Sequence, residues 1–160
     1  ADRPRHRVMT KPAVRLRNPF NFAVYTGLWL LLVLMRLALR LLGYRRCLSL
    51  LHRLSPGTAA LSSEPAPRAR ELALRIEQAG SHWLWKRIYC PRCFERSLLL
   101  WWMLRLQHIE SEIRFGARRE GEKITAHAWV EQNGEVLNDT TDVNSRYQPI
   151  VYPSLIRDVH

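Results

Sequence analysis

The sequence predicts an α+β fold, in which helices fill the first two thirds and an antiparallel sheet closes the chain. Three observations predict it. Apolar residues recur at helical spacing, or in unbroken runs of helix length, as far as Leu106. The pattern then changes to strand-like alternation over 111–117 and 123–132. Asn133-Gly134, the strongest short hairpin signal, follows the second alternating run. With 160 residues, 47% of them apolar, the chain is long enough for one domain with its own core.

Residues 1–19 read as a basic arm. Six Arg and Lys residues stand against Asp2 alone, so this arm holds +5 of the net charge of +11, and Pro4, Pro12 and Pro19 interrupt it. A basic balance favours an acidic partner, whether nucleic acid, an anionic membrane surface or an acidic peptide, but does not choose among them. An apolar run follows from Phe20 to Leu42. Only 14 residues separate Asn21 from Arg36, fewer than the roughly 20 that a bilayer span needs. The expectation is a buried or amphipathic helix, with Leu34, Leu37, Leu41 and Leu42 on a face opposite Arg36 and Arg40. The basic flanks leave peripheral membrane contact open. A second helical piece, Arg45 to Leu54, comes after Gly43.

Residues 55–67, SPGTAALSSEPAP, form the clearest connector. They end an N-terminal helical region over 20–67 and lead into a core over 68–160. That core begins with a helix from Arg68 to Gln78, carrying Leu72, Ile76 and Ala79 on one face and ended by Gly80. RSLLLWWMLRL, Arg96 to Leu106, is apolar all round and is the expected central helix, starting near Phe94 or Glu95. Strands are expected over 111–117 and 123–132, a return strand from Val136-Leu137, and a last extended piece over 147–152.

Cys47, Cys90 and Cys93 are an odd number, and the first residues are charged rather than signal-like. Both features point to the reducing cytoplasm, where a cysteine is a core residue, a metal ligand or a nucleophile. Cys47 reads as core. Cys90 and Cys93 form a CPRC motif. Zinc needs two further ligands, and the sequence offers no second CxxC and no HxxxH, only His82 and His108 at unremarkable spacing. A thioredoxin-like pair belongs in a βαβ unit, which is absent. No GxxxxGK[ST] phosphate loop is present either. No metal or cofactor is expected, and Cys90 reads as a core or loop residue.

The remaining constellation is nucleophilic. Cys93 stands just before the central helix, where unpaired N–H groups and the helix dipole favour a thiolate. The backbone N–H of Cys93 can serve an oxyanion, and Arg92 and Arg96 add positive charge. In ITAHAWVE, Thr125, His127, Trp129 and Glu131 share one strand face, and Ile124, Ala126, Ala128 and Val130 the other. Folding back at Asn133-Gly134 brings Asp139 level with His127 on the neighbouring strand, within about 5.5 Å. A carboxylate there orients the imidazole and stabilises its charged form. Trp85, Tyr89, Trp129 and Tyr147 are candidate groove-lining aromatics. A cysteine at the head of a central helix, facing a histidine on a sheet, is the arrangement of papain-like and transglutaminase-like enzymes.

Over residues 88–140 the chain resembles a narrower family. CFERSLLLWWMLR followed by AHAWVEQNGEVLND looks like the leader peptidases of lasso-peptide biosynthesis, the peptidase part of the split B protein. Cys93, Arg96, Ser97, His127, Trp129, Glu131 and Asp139 match its motif positions. The resemblance implies a transglutaminase-like core and a Cys93–His127–Asp139 triad that cuts a ribosomal precursor between leader and core. It also implies a separate leader-binding recognition-element protein, because the first 90 residues suggest no three-stranded sheet, and an ATP-dependent macrolactam synthetase that takes the freed core. Nucleic acid is not expected as a partner. Three alternatives stand beside this reading: the same site passing the acyl group to an amine, a non-enzymatic basic module for membrane or nucleic acid, and a zinc protein.

Overall fold

A computed structural model describes residues 19–55, 67–82 and 87–150. The basic arm before residue 19, most of the connector, Trp85 and the end of the last extended piece lie outside them. Three long helices come first: α1 (Pro19–Arg53), α2 (Pro67–Ser81) and α3 (Cys93–Leu106). The strands β1 (Glu112–Glu120), β2 (Lys123–Gln132) and β3 (Glu135–Val136) follow. A single-turn helix, α4 (Val143–Arg146), then precedes β4 (Gln148–Pro149). The sequence pattern gives no sign of α4.

Within α1, Gly43 has φ 73° and ψ 170°. Only glycine adopts that conformation without strain, and it separates the two expected helical pieces. The orientation of the first piece differs from expectation. Leu28, Leu32 and Met35 face the core, whereas Leu34, Leu37, Leu41 and Leu42 are exposed. With Arg36 and Arg40 as its only charges, the first piece is apolar on more than one face, and α2 and α3 cover the Leu32 side. Arg36 is drawn to a buried carboxylate, Glu95.

Ala69, Ala73, Ile76 and Ala79 form the buried stripe of α2. The small residues let that helix approach closely, and the Tyr25 hydroxyl donates to Gln78 Oε1 at 2.7 Å to join α1 to α2. At the centre, α3 buries Leu98, Leu99, Leu100 and Leu104 completely. It meets α1, α2, β1 and β2, which is why its sequence has no polar face.

The sheet is antiparallel in the order β3-β2-β1-β4. Asn133 (φ 50°) and Gly134 (φ 78°) make the tight turn between β2 and β3, where both central residues need positive φ. Val130 joins the main core with α3, while Trp129, Val136, Val143 and Tyr147 form a second cluster. Strand alternation thus divides β2 between two cores. Gly116 of β1, opposite His127 and Pro149 in the register, lets the second core close: a Cβ there would lie 2.8 Å from Tyr147 Cβ and 3.0 Å from Trp129.

Candidate active site

Cys93 is the first residue of α3, so its N–H has no acceptor one turn back. The helix start is held firmly. Buried Glu95 accepts the Arg92 backbone N–H at 2.7 Å and Arg36 Nη1 at 3.2 Å, together with the Tyr89 hydroxyl. Arg96 reaches Glu77 of α2 at 2.5 Å and the Pro91 carbonyl at 2.9 Å. The segment carrying the cysteine is thereby tied to both preceding helices.

The other half of the site depends on the shortness of β3. Beyond Val136 the chain leaves the edge of β2, whose inner polar groups then need partners. Leu137 N–H still donates to Val130 O at 2.9 Å. The next groups are met by side chains: Asn138 Oδ1 accepts Val130 N–H at 2.8 Å, and Ser97 Oγ donates to Ala128 O at 2.9 Å. Asn138 Nδ2 donates in turn to Ser97 Oγ at 2.9 Å. One frayed strand edge therefore gathers α3, β2 and the loop after β3 around the thiol.

This arrangement corrects the hairpin argument. Continuing the register of Glu131 with Val136 would set Asp139 opposite Ala128, with its side chain on the wrong face for His127. Asp139 reaches His127 because the ladder has ended and Asn138 stands in for backbone pairing. His127 Nε2 and Asp139 Oδ2 are hydrogen-bonded, which leaves Nδ1 for the thiol. Asp139 Oδ1 also accepts the Thr140 N–H at 2.6 Å and Arg146 Nη2 at 2.7 Å. The imidazole stacks on Tyr147, with centroids 4.9 Å apart, and on Trp129 at 6.1 Å.

The electrostatics follow from these contacts. Hydrogen bonds to Asp139 and then to Cys93 raise His127 to about 9, against the effect of burial. Burial opposes ionisation of Asp139, but His127, the Thr140 N–H and Arg146 outweigh it and bring the carboxyl to about 2. The hydrogen bond with His127 lowers the Cys93 thiol, against burial and with help from the Ala128 and Phe94 N–H groups. All three shifts favour one charge state: thiolate, imidazolium, carboxylate.

Cys93, His127, Asp139, Ala128, Asn138, Glu77 and Arg96 line a cavity of about 240 Å³. Other expected site residues lie elsewhere. Trp129 is only 1% exposed and gives its indole N–H to Glu131 at 2.7 Å, so it backs the imidazole rather than lining a groove. Tyr89 is turned to Glu95, with the Arg36 guanidinium over its ring at 4.9 Å. Trp85 lies outside the described residues. Arg96 brings less positive charge to the thiol than expected, because Glu77 pairs with it. Cys47 is buried and Cys90 is exposed. Among the described residues no cluster of three or more His, Cys, Asp and Glu side chains is arranged to hold a metal. Sequence reasoning missed Glu77, Asn138 and Arg146. Only Asn138 gave a signal, as a residue type that readily substitutes for backbone pairing beside a turn.

Comparison with known families agrees with this architecture. A family model described as the transglutaminase-like superfamily matches residues 29–152, and the chain belongs to that superfamily. Its members are typically cysteine-dependent enzymes and include cysteine peptidases and acyl transferases. The helix-borne cysteine packed against an antiparallel sheet is the α+β core expected of them. No curated protein and no solved structure matched the chain.

Proposed function

We propose that this chain is a cytoplasmic cysteine peptidase that removes the leader from a ribosomally made lasso-peptide precursor, with Cys93, His127 and Asp139 as its triad. The observation that carries the peptidase chemistry is the placing of Cys93 and His127 on one cavity wall, with the imidazole fixed from behind by the Asp139 carboxylate. The narrower substrate assignment rests on the resemblance of CFERS and AHAWVE to the leader peptidases.

The Cys93 thiolate attacks the carbonyl carbon of the last leader residue. The backbone N–H of Cys93 steadies the resulting oxyanion. His127 gives its proton to the leaving amine, which departs as the N-terminus of the core peptide, and a thioester joins the leader to Cys93. Water then attacks the thioester, losing a proton to His127, and the sulfur leaves with the pair restored. Asp139 holds the imidazole in the required tautomer throughout. A separate leader-binding recognition-element protein delivers the precursor, and an ATP-dependent synthetase takes the core.

The test incubates precursor and recognition element with the native protein and with Cys93→Ala. Native protein yields free leader and core, and Cys93→Ala yields neither. Full cleavage by Cys93→Ala would end the proposal. A leader joined to an added amine, seen by mass spectrometry in place of the free acid, would assign acyl transfer instead.

A further inference from the structure

The outward face of α1 is apolar along its whole first piece. Ala23, Gly27, Leu30, Leu34, Leu37 and Leu41 follow one another at intervals of four and three residues, which places them on one stripe. The stripe is about 27 Å long at 1.5 Å per residue. All six are exposed, Leu34 at 58% and Leu41 at 71%. Single exposed leucines are ordinary, but a continuous row marks an interaction surface.

The charge of the chain says what covers it. Residues 3–63 hold eleven Arg and Lys and no Asp or Glu, whereas residues 64–160 hold fourteen against thirteen. The helix that presents the leucine stripe, Pro19–Arg53, itself holds five arginines and no Asp or Glu. Arg40 borders the stripe, and Arg46 and Arg53 are exposed just past Gly43. Two copies meeting through this face would bring two acid-free cationic segments together and repel each other.

We infer that this face docks on an anionic lipid bilayer, with the leucine stripe in the headgroup–acyl boundary and the arginines on acidic headgroups. By length and composition α1 could cross a membrane, because the apolar helix continues past Arg36, where the sequence suggested too short a run, but its packing argues for the bilayer surface instead. Its inward face is part of the protein core, with Leu32 wholly buried. Tyr25 and Arg36 fasten it to Gln78 and Glu95. Crossing the bilayer would require that core to be dismantled.

Sedimentation with phosphatidylcholine vesicles, with and without phosphatidylglycerol, tests the inference on the full chain. The protein pellets with the phosphatidylglycerol vesicles, less so at high salt, and stays in solution with phosphatidylcholine alone. Leu34→Ser/Leu37→Ser/Leu41→Ser and, separately, Arg40→Glu/Arg46→Glu each weaken partitioning by about tenfold or more, with thermal melting and precursor cleavage unchanged. The arginine pair carries the test if the leucine variant does not fold. Failure to pellet with anionic vesicles overturns the inference, as does pelleting that neither variant weakens. A dimer in solution that the leucine variant splits, without vesicle binding, overturns it in favour of self-association. Cleavage without vesicles leaves the peptidase assignment separate from this outcome.

Discussion

At the scale of single residues, the site is a set of proton equilibria coupled through His127. Its imidazole is raised to about 9 from 6.5. The stabilisation from its protonated form is present in full below pH 6.5 and is lost as pH rises through about 9. Asp139 is lowered to about 2 from 3.8, so its contribution is present above pH 3.8 and is lost as pH falls toward 2. The alkaline limb of kcat/KM should therefore lie near pH 9. Asp139→Asn should move that limb down toward the ordinary imidazole range and lower kcat by about a hundredfold or more; an unmoved limb in the pH–rate profile would contradict this. Cys93 and His127 were legible in the sequence because a helix start and a strand face each leave a local pattern. The path of Asp139 was not, because its pairing with His127 requires the ladder to stop two residues earlier. Trp129 was misplaced for a similar reason: alternation assigns a face but not what packs on it, and Tyr147 closes that face.

At the scale of elements, the short β3 is what assembles the cavity. Asn138→Ala leaves Val130 N–H and the Ser97 hydroxyl without that partner, which should cost about 1–3 kcal/mol in thermal unfolding and lower kcat by loosening the neighbouring Asp139. Gly116→Ala pushes a methyl into Tyr147 and Trp129. It should cost about 1–3 kcal/mol, with a loss of activity as the stack behind His127 shifts. Equal stability of Gly116→Ala and native protein in a denaturant melt would show that the second core is looser than described. The hairpin at Asn133-Gly134 and the span of β2 were readable because turn chemistry and alternation agreed. The single turn of α4 was not, since four residues carry no periodicity.

At the scale of the whole molecule, α1 serves two surroundings at once. Apart from Arg36 and Arg40 its first piece is apolar, and Arg36 turns to Glu95 rather than to solvent, so the sequence could show a helix but not its rotation; α2 and α3 choose the Leu32 face. Leu32→Ala should lower stability by about 2–5 kcal/mol, whereas Leu41→Ser should change it by no more than about 0.5 kcal/mol. Equal effects in parallel thermal melts would mean that the helix is rotated from the orientation described. The helices matter to the chemistry because Arg36 and Glu77 reach the first turn of α3 and fix the cysteine against the sheet. Covalent catalysis by Cys93 can be read from intact-protein mass spectrometry of an acid-quenched reaction with precursor and recognition element. A transient adduct with the mass of the leader acyl group should appear, mapping to Cys93 and lost with hydroxylamine. Precursor turnover with no adduct on Cys93, or with the adduct on another residue, would contradict covalent catalysis by Cys93.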